Sequence, residues 1–190
     1  TSQSRIALIQ IYFRHIFKTV QKQIRRSTNM IRDYLAPVPE SILESFEASH
    51  PQQLFSSLRI HREVEGFPEL ESVRIALIGV MEDRGAINNV GCDGGADQIR
   101  KYLYPLFRGR WDVTVADLGN IYKGETLEDS YFALRDVVAE LLKRNIITIL
   151  IGGSQDLTYP VYRAYDVLEQ TVNLVSIDAR FDLGEQGKAL

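Results

Sequence analysis

Two carboxylates and a guanidinium stand at alternate positions in Asp178-Ala179-Arg180-Phe181-Asp182. Alternate residues of an extended chain project to one face, so Asp178, Arg180 and Asp182 can converge where a strand ends. Two carboxylates around a central imidazole would suit a divalent cation that takes hard oxygen and nitrogen donors. Arginine has no lone pair to give and stays protonated, so this trio carries a fixed cation at its centre. The expectation is that Arg180 donates bidentate hydrogen bonds to Asp178 and Asp182, holding the strand end together where a metal would otherwise sit.

A second polar cluster is Gly152-Gly153-Ser154-Gln155-Asp156. The glycine pair either permits a tight strand-to-helix turn or cradles an anion at the helix N-terminus that follows. Gln155 can bond a ligand amide or the loop backbone, and Asp156 reads as a helix N-cap. Glu82 and Asp83 follow another apolar run and read as substrate-facing or simply solvated acids. Cys92 has no histidine nearby in sequence and reads as a structural or incidental thiol. The three histidines, His15, His50 and His61, all lie upstream of these clusters.

The elements that must position these residues alternate between strand and helix. Apolar, β-rich runs at 73–80, 112–118, 146–151 and 172–177 predict strands, the second stopped by Gly119-Asn120. Helical spacing predicts helices over 93–107, from Thr126 to about residue 145, and over 156–169. Thr126 and Asp129 have the spacing of a capping box. Strands joined by crossover helices predict a parallel α/β sheet, whose sites lie at the carboxyl ends of the strands. Every polar cluster named above falls at such an end. A sheet stopping soon after its fourth strand would leave a raw edge, so a further C-terminal portion is expected.

The chain has 190 residues, 45% of them hydrophobic, enough for one substantial core. One cysteine excludes an internal disulfide and suits a reducing compartment, giving a cytoplasmic expectation. The net charge of −3 is uneven. Residues 1–29 hold six basic residues and no acid, leaving 16 basic and 25 acidic residues in the remainder. An acidic body argues against nucleic acid as the main partner. The basic amphipathic leader (1–29) can dock on the body, lie on an anionic membrane, resemble a transit peptide, or derive from added or upstream sequence. A helix-and-loop lead-in (30–72) holds Pro37, Pro39, Pro51 and Pro68, and the α/β region follows over 73–190.

The run from Ile151 to Asp156, followed by Asn173-Leu-Val-Ser-Ile-Asp-Ala-Arg-Phe-Asp182, resembles the arginase, agmatinase and formiminoglutamase (ureohydrolase) superfamily. Ile78-Gly-Val80, Gly85, Gly91, Gly94, Ile99-Arg100 and Asp117-Leu-Gly-Asn120 are similar to that family's opening strand, glycine loop, first helix and second strand end. The nearest flavour is the formiminoglutamase-like branch. The resemblance implies a three-layer α/β/α fold with a mainly parallel sheet, and a binuclear manganese centre that activates water to hydrolyse a linear amidine or guanidinium. It also implies that Gln155 and Arg180 occupy histidine ligand positions, while Asp178 and Asp182 match the remaining ligand positions of the second motif. The expected function is therefore a ureohydrolase-fold protein with a degenerate metal site, non-catalytic and binding a small ligand or partner. No cofactor is favoured, with manganese expected if the site works. A formiminoglutamase-like hydrolase of a linear amidine and a structural subunit of a homo-oligomer are the alternatives. No membrane partner is expected except through residues 1–29.

Overall fold

The computed structural model describes residues 28, 30–46, 50–86 and 89–178. Its centre is a five-stranded sheet. Three parallel strands, β3 (Ile75–Val80), β4 (Val115–Ile121) and β5 (Ile147–Ile151), run in the order β4-β3-β5. Two short strands cover the outer edge of β4: β1 (Leu35–Ala36) pairs antiparallel with its end, and β2 (Arg59–Ile60) pairs parallel with its beginning. Both come from the stretch expected to hold only helices and loops.

Helices cover both faces. Helix α1 (Glu40–Leu43) is a single turn of the lead-in, packed in a small aromatic cluster with Ile60 and Tyr104. Helix α2 (Gly95–Leu103) packs Ala96 against Leu77 and Ile151 on one face of the sheet. Helices α3 (Leu127–Lys143) and α4 (Thr158–Val167) lie on the other face, where Leu134, Val137, Val138 and Leu141 meet Ala76, Ile78, Val80 and Leu118. Residues 76, 78 and 80 face one layer and residue 77 the other, as the two-residue period of a strand requires. This is the expected α/β/α layering. No helix among the described residues is long and apolar enough to cross a membrane.

Helix α3 begins where the capping chemistry dictates. The Asp129 amide donates to Thr126 Oγ1 at 3.2 Å, and the Thr126 amide donates back to Asp129 Oδ2 at 2.9 Å. Each side chain satisfies an amide that the helix leaves without a carbonyl.

Two strand expectations change. Gly119-Asn120 does not stop β4, which continues to Ile121. Leu77 pairs with Asp117, but Gly79 pairs with Asn120, so β4 carries one extra residue between these points. Gly119 absorbs that bulge at φ +86°, a conformation open to glycine at little cost. Residues 172–177 form no strand. They run without regular structure, with Leu174, Val175 and Ile177 71%, 81% and 98% exposed. Apolar β-branched composition marks a strand only if a ladder partner is present, and among the described residues this segment has none.

A polar knot fastens α2 to β4 inside the protein. Arg100 and Asp117 are both 0% exposed. Arg100 Nε and Nη2 donate to Asp117 at 2.9 and 2.8 Å, Nη1 to Asp97 and Asn120 at 3.0 and 2.6 Å, and Nη2 also to the Gly119 carbonyl at 3.0 Å. Tyr104 Oη donates to Asp117 at 2.8 Å. All five guanidinium N–H groups are used. Burial alone would lower the Arg100 pKa, but the Asp117 contacts outweigh it and raise it. Gly79 makes room for the knot, since a Cβ there would overlap Asn120 Oδ1.

Candidate functional site

The topology selects one end of the sheet. From β3 the chain passes through α2 to β4, then through α3 on the opposite face to β5 on the far side of β3. The loops after β3 and β5 therefore depart to opposite faces, which opens a crevice at their carboxyl ends. The loops of residues 81–86, 89–94 and 152–157 meet at that end, where the Gly153 amide donates to the Cys92 carbonyl and the Ser154 amide to the Glu82 carbonyl. Gly152 and Gly153, at φ +79° and +82°, let β5 turn sharply into its short 3-10 helix. A Cβ on Gly152 would strike the backbone of Gly95 and Ala96. The pair therefore serves close backbone approach.

Two of the four candidate site residues meet there. Gln155 Nε2 donates to Asp178 Oδ2 at 3.0 Å, joining the end of β5 to the extended segment after α4, and both residues are exposed. Arg180 and Asp182 lie outside the described residues, as does the expected guanidinium bridge. Of the histidines, His15 also lies outside. His50 sits in an exposed loop, where its Nδ1 accepts from the Gln52 amide. His61 follows β2, across the sheet from β5. No group of three or more His, Cys, Asp or Glu among the described residues is arranged to hold a metal ion. One carboxylate and one amide, Asp178 and Gln155, do not make a divalent-cation site by themselves.

The acids after β3 are far from simply solvated. Glu82 is 1% exposed, with its carboxylate gripped by Arg84 Nε at 2.9 Å and Nη2 at 2.6 Å, and by Ser130 Oγ at 2.7 Å. Burial pushes its pKa up, but the hydrogen bonds from Arg84 and Ser130 prevail and bring it down to about 2. Arg84 also donates to the carbonyls of Gly124, Glu125 and Thr126. It thereby ties the end of β3 to the start of α3. Asp83 accepts from the Gly91 amide at 2.8 Å and from Lys123 Nζ at 3.2 Å, and the Gly91 bond leads in lowering its pKa. No spacing rule pairs Glu82 with Ser130. The readable hint was Arg84 two residues after Glu82.

Asp156 is not a helix cap. The 3-10 helix has Ser154 at its N-cap with no side-chain cap bond. Asp156 Oδ2 instead accepts a hydrogen bond from Tyr131 Oη of α3. The Cys92 carbonyl accepts from the Gly153 amide at 3.2 Å. Burial raises the Cys92 thiol pKa, and Asp83, Asp93 and Asp156 raise it further. A thiol held protonated among acids is a poor nucleophile, in keeping with its reading as a structural group.

The crevice can hold a carboxylate, Asp178, at a fixed place beside an amide. The cations of the neighbouring loops, Arg84 and Lys123, are engaged by Glu82 and Asp83. Comparison with known proteins adds to this geometry. The model of the arginase family matches residues 73–189. Formimidoylglutamase of Salmonella typhi is 30% identical over 154 residues, covering 77% of this chain and 48% of that protein. The formimidoylglutamase of Salmonella paratyphi C (strain RKS4594) matches equally, with 30% identity over 154 residues and the same shares. The crystal structure of a variant of Trypanosoma cruzi formiminoglutamase with Mn2+2 is similar with a TM-score of 0.50 and 26% identity, over 59% of this chain and 39% of that one. The chain spans about half the length of the curated relatives it matches.

Proposed function

From the premise that this chain belongs to the arginase family, we propose that it is part of a formiminoglutamase-like hydrolase that cleaves a carbon–nitrogen bond of a linear amidine. The observation that carries this reading is the placement of Asp178. Its carboxylate accepts from Gln155 beside the carboxyl end of β5, the end of an open α/β sheet at which ligands commonly bind. The formimidoylglutamase relatives support the substrate class. In the hydrolysis, water adds to the amidine carbon and the bond to the amine breaks, releasing an amide.

Manganese is the metal this reading expects, as in the Trypanosoma cruzi relative with Mn2+2. Bound manganese would activate water. The described residues do not complete a ligand set, so what this chain contributes is positional. Gln155 orients the Asp178 carboxylate, and the Glu82–Arg84–Ser130 bonds fix the loop beside it. The whole protein should release formamide from N-formimino-L-glutamate in the presence of manganese, and removing manganese should abolish the release.

A second reading is favoured by the same Gln155–Asp178 bond. An amide that satisfies an aspartate directly, with Arg180 two positions further on, suits a crevice that binds a small ligand without hydrolysing it. Stoichiometric manganese with formamide release would exclude that reading. Whole protein that retains no manganese after dialysis and releases no formamide would establish it against the hydrolase.

A further inference from the structure

A second cavity, of about 340 Å³, lies beside the outer edge of β4, on the side of the sheet away from β5. Its polar lining is Arg32, Asp33, His61, Arg62, Glu63 and Tyr122. His61 is 5% exposed and sits where coverage of the β4 edge passes from β2 to β1. Its Nδ1 lies 3.1 Å from the Leu118 carbonyl oxygen. A carbonyl can only accept, so Nδ1 carries the proton, and in the neutral ring Nε2 presents a lone pair. Edge-on packing against Phe67, with centroids 5.1 Å apart, holds the ring. No residue among those described donates to Nε2.

Charged groups of both signs surround this histidine. Arg32 and Arg62 bring two cations, and Asp33 and Glu63 two anions. Arg62 is loosely engaged, 3.9 Å from Glu40 and 3.7 Å from Glu65. Arg32, Asp33 and Glu63 have no ion-pair partner among the described residues. Leu35 and Pro37 also border the cavity, but Leu35 is almost wholly buried, so the lining is mainly polar. A simple anion would meet two carboxylates here, and a simple cation two guanidiniums. A molecule carrying both charges meets a partner for each. We propose that this cavity binds a small zwitterion of the α-amino-acid class, with its carboxylate on Arg32 and its ammonium donating to His61 Nε2 and the neighbouring acids. The cavity stands two strands from the β3/β5 crevice, roughly 10 Å at the usual spacing between strands. Such a ligand would therefore bind without entering the crevice.

The test uses the full chain labelled with 15N-histidine and the probe L-leucine. Two half-molecules serve as controls: 4-methylpentanoate, which lacks the ammonium, and 3-methylbutylamine, which lacks the carboxylate. With three histidines in the chain, His61 is assigned by loss of its signals in His61→Asn. The expected result is a saturable shift of the His61 Nε2 resonance with L-leucine, at least about tenfold tighter than with either half-molecule. Arg32→Gln and Asp33→Asn, both at exposed positions, should each weaken it by about tenfold, as for the loss of one charge contact. No shift with L-leucine would overturn the proposal. So would binding of 4-methylpentanoate as tight as L-leucine, or tightness unchanged in Arg32→Gln.

Discussion

Replacing Arg100 by methionine should show how far one buried cation holds this fold. Methionine roughly keeps the volume and removes the charge, leaving Asp117 at 0% exposure with the Tyr104 hydroxyl and the Gly119 backbone amide as the remaining donors to its carboxylate among the described residues. Asn120 Oδ1 and the Gly119 carbonyl also lose their guanidinium partner. Breaking a buried pair from one side costs about 3–5 kcal/mol, because the remaining charge stays desolvated. Domains of this kind have about 5–15 kcal/mol in all, so the folding equilibrium should fall by between two and four powers of ten. Urea denaturation followed by circular dichroism, on wild type, Arg100→Met, Asp117→Asn and the double variant, gives the pair energy by a double-mutant cycle. The double variant should be clearly more stable than the sum of the two single losses implies, by about 2 kcal/mol or more. A loss below about 1 kcal/mol for Arg100→Met, or simple additivity, would refute the claim that the pair acts as one unit.

Two other outcomes follow from the same contacts. Glu82 has a folded pKa of about 2 against an ordinary 4.5, so the unfolded chain takes up its proton first as pH falls. About 3 kcal/mol of stability should be fully present above pH 4.5 and lost progressively towards pH 2. Stability curves of wild type and Glu82→Gln should converge across that window, and a constant gap would contradict the assignment. Gly119→Ala would set a Cβ into the Ala36 carbonyl at a positive φ. It should cost at least about 2 kcal/mol, with the Tyr122 amide, bonded to the Tyr34 carbonyl, exchanging its hydrogen first. Unchanged exchange at Tyr122 would show that β1 does not depend on the bulge.

Local chemistry made much of the fold legible. The Thr126–Asp129 spacing located the start of α3, and apolar runs located β3 and β5, because caps and ladders act over a few residues. The edge strands β1 and β2 escaped notice. A two-residue strand has no period to detect, and its existence depends on β4, far along the chain. The run at 172–177 misled in the opposite sense, since apolar character records a tendency and not a partner. At the site, motif spacing brought Gln155 and Asp178 to notice, and they do meet. The sequence leaves Glu82 as either a substrate-facing or a solvated acid, because its partner Ser130 is distant in sequence and the loop that buries it is not marked by composition. His61 was set aside for lying upstream of the α/β motifs, although that position gives it the β4 edge.

The order in which the parts of the β4 edge leave a ribosome has a consequence of its own. Residues 35–36 and 59–60 emerge well before β4, which they cover. Until β4 arrives, Leu35, Ile42, Leu43 and Ile60, all buried in the finished protein, have no sheet to rest on. Pairings so distant in sequence form late and slowly, and exposed apolar chain is what chaperones bind and aggregates recruit. Folding during synthesis should therefore be back-loaded, with the early segment held in waiting. The opposite truncation carries the complementary hazard. A chain begun at residue 73 would keep β3, β4 and β5 but leave the β4 edge bare for a neighbouring molecule to pair with.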